Sequence, residues 1–243
     1  MPIPTALLGV LLLALVLPAR ADNYDFGDVR LAPLADPVQV SYAAGAAPSA
    51  EKLREVVAVV APSLEWRVLS QAERRMQLER AVRNKHMLRV ELVSDDRGFR
   101  LHYLTSVNLM YRDFERAGER LPVIHHNYNT WVQELAGGIA KSLGISAPPV
   151  VGFAPLESVE AVPYLRANGR KSYAEFLERM TPRAFAIAPN GAFGWSAPLK
   201  PAAYIRRDLF DPLENALENC NRRGEGKCRL YAIDGRVVWR GDL

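Results

Sequence analysis

One alternating pattern restricts the fold of this chain more than any other feature, because apolar side chains recur at every second position in consecutive runs. The clearest runs carry Leu88, Val90 and Leu92, and then Phe99, Leu101 and Tyr103. Successive side chains of a β-strand point to opposite faces of a sheet, so this spacing predicts strands with one buried face. Turn-forming residues at 94–98 join the two strands as a hairpin. Together with runs at 64–69 and 76–82, they predict an antiparallel meander of three or four strands.

Helix-forming segments on both sides of these runs predict an α+β fold, in which the antiparallel sheet is flanked by helices. Ser49 is a typical N-cap for a first helix, which Pro62 ends. A second helix at about 127–143 has an apolar stripe at helical spacing. Gly137 and Gly138 fall in its middle, where small residues predict close packing against a neighbouring element.

The composition changes after the second helix and predicts a second domain. We expect a first domain at 22–145 that begins with an extended arm, a proline-rich linker at 146–170, and a smaller α+β domain at 171–243. The smaller domain is expected to contain two helices and two hairpin turns, at 172–180, 203–220, 189–191 and 234–235.

Cys220 and Cys228 are the two cysteines of the chain. Two neighbouring cysteines in an exported chain predict one disulfide, which here joins the end of a helix to the start of a strand. On the loop-entropy model, such a bridge contributes about 2–3 kcal/mol to stability. A metal site is the competing interpretation, but the histidines are far away in sequence and complete no ligand set.

The N-terminal residues predict export. An uninterrupted apolar run at 6–17 is shorter than the ~20 residues that a membrane-spanning helix needs. It precedes Ala19-Arg20-Ala21, the small-x-small pattern of a signal-peptidase site. We interpret 1–21 as a cleavable signal peptide and expect a periplasmic or secreted protein with no integral membrane segment after cleavage. An uncleaved anchor is the alternative.

The charge pattern argues against a nucleic-acid partner. The chain has 31 Lys and Arg against 27 Asp and Glu, and the two signs are mixed along the sequence. Nucleic-acid-binding proteins instead concentrate basic residues on one element.

Hydrogen-bonding side chains are concentrated where the last strand of the meander ends and the second helix begins. The candidate polar site comprises Ser106, Asn108, Tyr111, His125, Tyr128 and Asn129. Strand ends that meet helix N-termini often bind small ligands or anions, because free N–H groups point outward there. The structural alternative is that these residues tie down a loop at 112–122, while Asn127 or Asn129 caps the helix.

The sequence contains no complete catalytic constellation. It lacks the Gly-x-Ser-x-Gly elbow of serine hydrolases. His125 and His126 are adjacent, whereas two metal ligands on one helix face need a spacing of three or four. We expect no metal or cofactor. Four aromatic residues near the C-terminus either form a stacking surface or fill the core, namely Phe193, Trp195, Tyr231 and Trp239.

Two stretches resemble known groups of bacterial proteins. Ser106-x-Asn-Leu-x-Tyr111 and Ile124-His-x-Asn-Tyr-Asn-x-Trp131 resemble motifs of small uncharacterised envelope proteins and lipoproteins of Gram-negative bacteria. Segments 182–188, 191–195 and 220–239 resemble secreted bacterial domains of unknown function. The resemblance implies a periplasmic location and brings no activity. The lipid-bearing cysteine of the lipoproteins is missing, which argues against a lipid anchor.

These features predict a non-catalytic binding or envelope-accessory module whose partner is an envelope component or a small ligand. One alternative is a hydrolase that uses His125 or His126, with Ser106 or Tyr128, in a loop-covered cleft. A purely structural envelope protein is the other.

Overall fold

The computed structural model describes residues 24–199, 210–225 and 227–241, so the predicted signal peptide at 1–21 lies outside the described residues. The described strands are β1 (Leu31–Pro33), β2 (Val38–Ser41), β3 (Trp66–Gln71), β4 (Arg75–Val82), β5 (His86–Ser94), β6 (Gly98–Val107), β7 (Arg112–Arg116), β8 (Glu119–His125), β9 (Val150–Val151), β10 (Ala184–Ile187), β11 (Phe193–Ser196), β12 (Arg229–Ile233) and β13 (Arg236–Val237). The helices are α1 (Ala50–Ser63), α2 (His126–Ser142), α3 (Ala167–Leu177) and α4 (Pro212–Gly224), with a 3₁₀ turn at Val159–Ala161.

The predicted meander forms the centre of the largest sheet. Its strand order is β3-β4-β5-β6-β2-β9, and every neighbouring pair is antiparallel. Helices α1 and α2 pack on one face, where the alternating residues that include Leu88 and Leu101 are fully buried. The α+β fold with a helix-flanked antiparallel sheet is therefore confirmed.

The first two helices begin and end close to the expected residues and pack tightly on each other. The Ser49 hydroxyl accepts the Lys52 N–H at 3.0 Å as the N-cap of α1, and Pro62 lies in its last turn. A Cβ atom on Gly138 of α2 would lie 2.9 Å from Cγ1 of Val60. The close packing predicted at the glycine pair is therefore packing of α2 against α1.

Residues 112–122, expected to be a loop, instead contain most of a β-hairpin. β7 and β8 pair around Ala117 and Gly118, which both adopt positive φ, at 50° and 78°. This conformation permits a two-residue hairpin turn. The prediction is wrong because β7 is almost wholly exposed and charged, so it shows no apolar alternation. β1 adds to the other side of β8 and completes a three-stranded sheet.

Several helix and strand boundaries also differ from those expected from the sequence. The segment at 146–170, expected to be a linker, contains β9, the 3₁₀ turn and the first residues of α3. Helix α3 ends at Leu177, before the expected 180. Helix α4 begins at Pro212, because Asp211 accepts the N–H groups of Leu213 and Glu214 as its N-cap. The earlier part of that expected helix, 203–209, lies outside the described residues.

The C-terminal strands form a sheet of order β11-β10-β12-β13, with the expected hairpin turns on both sides. All four residues of β10 are buried, because α4 packs on one face and α3 on the other. The core on the α4 side also receives Phe26, Leu31, Leu121 and Val123, so it draws on both sides of the 146–170 segment.

The expected disulfide between Cys220 and Cys228 is confirmed, and it joins the end of α4 to the start of β12. A buried polar contact ties the opposite end of this sheet to the start of the described chain. The Asp234 carboxylate accepts the N–H of Arg183 at 2.8 Å and the N–H of Tyr24 at 3.0 Å. The N-terminal arm is thereby attached to the C-terminal sheet.

We expect the two neighbouring glycines of α2 to respond oppositely to substitution. Gly138→Ala should lower the free energy of unfolding by about 1 kcal/mol, because the clash with the stiff Val60 side chain outweighs the better helix propensity of alanine. Gly137→Ala, whose new Cβ would come no closer than 3.9 Å to Pro149, should raise it by up to about 1 kcal/mol. Urea unfolding measures both, and equal stability of the two variants would contradict this packing.

Candidate functional site

Three tyrosine rings form a layered group at the end of β6, which we call the tyrosine cluster: Tyr103, Tyr111 and Tyr128. Tyr103 stacks on Tyr111, with ring centroids 4.8 Å apart and planes 17° apart, and meets the edge of Tyr128 at 5.5 Å. Tyr128 is fully buried in the first turn of α2, Tyr103 is half-buried, and Tyr111 is 44% exposed. The cluster therefore runs from the core to the surface.

The hydroxyls of Tyr103 and Tyr128 remain protonated. The Tyr103 hydroxyl lies 3.0 Å from the Ser106 hydroxyl. The Tyr128 hydroxyl is buried and has no hydrogen-bond partner in the described part of the chain. Burial raises the pKa of Tyr103, and it raises the pKa of Tyr128 well above the usual value for tyrosine. Both groups are neutral at physiological pH.

Asp36, just before β2, contacts His102 and Arg240. The Asp36 carboxylate lies 3.1 Å from Nδ1 of His102 and 3.7 Å from the guanidinium of Arg240. After burial itself, Asp36 is the largest contributor to the raised pKa of Tyr128, because its negative charge disfavours a tyrosinate nearby. The Asp36 carboxylate is mostly buried, whereas the His102 ring is half-exposed.

His125 has a different role from the one expected. Its Nδ1 accepts the Asn127 N–H at 3.2 Å, so His125 is the N-cap of α2 and the prediction of Asn127 or Asn129 as the cap is wrong. The ring stacks on His126 at 4.8 Å. Burial lowers the pKa of His125, and the positive fields of His126, Arg30 and His86 lower it further.

Asn129 and Asn108 bind backbone groups away from the tyrosine cluster. The buried Asn129 amide accepts the Ala35 N–H and donates to the Pro33 carbonyl, both at 2.8 Å. The Asn108 amide donates to the Lys85 carbonyl, and the Asn108 carbonyl lies 2.8 Å from Nδ1 of His86. Of the six expected site residues, the structure thus brings Ser106, Tyr111 and Tyr128 together through Tyr103.

Sequence inspection missed Tyr103, Asp36 and His102 as site residues. In the sequence, Tyr103 and His102 show only a strand pattern, and Asp36 lies 66 residues before His102 in the chain. The antiparallel pairing of β2 with β6 brings Asp36 to this place, because Val38 lies opposite Leu101. Leu104 and Val107, with 41% and 47% of their surface accessible, add exposed apolar surface at the end of the same strand, a feature of the fold that the sequence pattern does not show.

The C-terminal aromatic residues mainly fill the core. Tyr231 is fully buried, and Phe193, Trp195 and Trp239 pack against the same cluster on the α3 side of the sheet. The Trp195 indole N–H donates to the Ser172 hydroxyl at 3.0 Å, and the Arg179 guanidinium lies over its ring.

Within the described ranges, no group of three or more His, Cys, Asp or Glu side chains could hold a metal ion. No helix in the same ranges is both long and apolar enough to cross a membrane. Comparison of the chain with protein-family models, curated proteins and solved structures finds no match. The resemblance to envelope proteins therefore stays a prediction.

We expect the protein to lose stability as the pH falls through the titration of His125. The folded state holds this imidazole neutral as a helix cap, so its pKa lies below the usual 6.5 of the unfolded chain. Between these two pKa values the unfolded state binds a proton that the folded state does not, and the free energy of unfolding therefore decreases with decreasing pH.

Urea unfolding from about pH 7 to about pH 5 tests this, since the range spans the ordinary histidine pKa. His125→Asn is the control, because asparagine also caps helices and does not titrate. The variant should show a shallower pH dependence than the wild type. An unchanged slope would contradict the assignment.

Proposed function

We propose that the protein is a non-catalytic binding module that acts outside the cytoplasm and holds a small ligand or envelope component against the tyrosine cluster. The observation that carries this proposal is the exposed Tyr111 ring, which stacks on Tyr103. A tyrosine offers a ligand a flat apolar surface and a polar hydroxyl at small entropic cost, which is why tyrosine is enriched at binding surfaces.

The polar groups around the rings support a ligand with both an apolar face and hydrogen-bonding groups. Ser106 and Tyr103 present hydroxyl groups beside the rings. Ligand sites generally combine such an apolar surface with a few polar groups that fix orientation.

The disulfide supports a location outside the cytoplasm. Bridges of this kind persist in oxidising compartments such as the periplasm and are rare in the reducing cytosol. The proposed location also rests on the signal-peptide pattern at 1–21.

The contacts of the histidines favour binding over hydrolysis. A serine hydrolase needs its serine hydroxyl bonded to an imidazole that acts as the general base. Here the Ser106 hydroxyl lies against Tyr103, and Nδ1 of His125 accepts a backbone N–H. A purely structural role remains the second candidate, and the experiment below separates it from binding.

We expect Tyr111→Ala to weaken ligand retention. Native mass spectrometry of the protein, purified from the compartment to which it is exported, should show a retained ligand on the wild type. At equal dilution, Tyr111→Ala should retain less ligand than the wild type, as expected from an affinity about tenfold weaker. An aromatic contact contributes roughly 0.5–1.5 kcal/mol beyond its buried area. Tyr111→Phe should retain most of the binding.

Met180→Ala is the matched control, since Met180 is an equally exposed apolar residue outside the tyrosine cluster. A wild-type protein with no adduct would favour the structural role. An adduct that Tyr111→Ala and Met180→Ala retain equally would place the ligand elsewhere.

A further inference from the structure

The face of the six-stranded sheet opposite α1 and α2 carries a row of alternating charges. Arg67 on β3 lies opposite Glu79 on β4, which lies opposite Arg89 on β5. The Arg67 guanidinium donates to one carboxylate oxygen of Glu79 at 2.6 Å, and the Arg89 guanidinium donates to the other at 2.7 Å. One carboxylate thus serves two arginines, so the row has one positive charge in excess.

The carboxylate lies beneath the two guanidinium groups. The Glu79 side chain is only 11% exposed, whereas the side chains of Arg67 and Arg89 are 72% and 43% exposed. Both arginines lower the pKa of Glu79, which keeps it ionised and both arginines bridged to it. Arg67 uses Nη2 and Arg89 uses Nε for this contact, so N–H donors on both side chains face solvent.

The row ends at an unpaired sheet edge. β3 is the first strand of the sheet order, and in the described part of the chain no strand pairs with its outer edge. Most of its residues are exposed, including Leu69. The charge of Arg67 disfavours pairing of this edge with an ordinary apolar strand. The same charge favours a strand that places a carboxylate opposite Arg67.

We propose that the outer edge of β3 binds an extended acidic segment of a partner protein, with one carboxylate of that segment seated beside Arg67. The bound segment extends the row to carboxylate–Arg67–Glu79–Arg89 and brings its charges to balance. Backbone hydrogen bonds along the free edge provide affinity, and the charge at Arg67 provides selectivity, as in other cases of strand addition. This surface differs from the tyrosine cluster, so the inference does not rest on the function proposed above.

A synthetic peptide of alternating Glu and Thr residues tests the proposal on the full-length mature protein, with an alternating Lys and Thr peptide as the charge-reversed probe. Fluorescence anisotropy should show binding of the acidic peptide that weakens with salt, and much weaker binding of the basic one. Arg67→Gln should reduce the affinity by about fivefold, as expected for an exposed ion pair. Arg67→Glu should reduce it by more than about tenfold, because it opposes like charges.

Arg75→Gln is the control variant, because the Arg75 guanidinium is already held by two hydrogen bonds to Glu91 and lies off the row. Arg67→Gln leaves the Arg89–Glu79 bridge in place, so the fold is retained. Hydrogen exchange adds a second readout: the acidic peptide should slow exchange at 66–71 and leave β9, at the opposite end of the sheet, unchanged.

Equal affinities for the wild type and Arg67→Glu, or protection that spares 66–71, would overturn the proposal. Binding of the sulfated polysaccharide heparin that depends on Arg67, without binding of the acidic peptide, would also overturn it, because the site would then recognise a glycan.

Discussion

A buried side-chain amide ties the N-terminal arm to α2, and that arm in turn packs against the C-terminal sheet. Asn129 holds the backbone at Pro33 and Ala35 through two hydrogen bonds in the interior, where a lost partner would cost about 1–3 kcal/mol for each unsatisfied group. This contact fixes the N-terminal arm beside α2, so that β1 can pair with β8. The same arm then carries Phe26 into the core beneath α4 and donates the Tyr24 N–H to Asp234.

The first turn of α2 therefore serves several purposes within a few residues. His125 caps it, Tyr128 supplies the buried ring of the tyrosine cluster, and Asn129 anchors the arm. A change in the helix start would move all three together. The neutral imidazole cap is the part of this arrangement that responds to pH, since a protonated Nδ1 can no longer accept the Asn127 N–H.

The two faces of the large sheet differ in chemistry, and each surface proposed for binding follows from that difference. The inner face is apolar and ends in the tyrosine cluster, where the core reaches solvent at Tyr111. In the described part of the chain, no helix packs on the outer face, and its carboxylates Glu79 and Glu91 lie beneath more exposed arginines. A ligand that stacks on the tyrosine cluster and an acidic strand that binds Arg67 at the β3 edge would therefore occupy different parts of the molecule.

The sequence by itself determined the meander, the first two helices, the C-terminal hairpins and the disulfide, because each depends on local periodicity, capping or turn chemistry. It also pointed to Ser106, Tyr111 and Tyr128, since a polar strand end before a helix is visible locally. The strand β7 could not be predicted because its exposed, charged sequence shows no apolar alternation. The two-residue strand β9 could not be predicted because only its pairing with the distant β2 makes it a strand. Only the tertiary structure decided that Asp36 meets His102 and that Arg67 and Arg89 share Glu79, since cross-strand register alone brings such residues together.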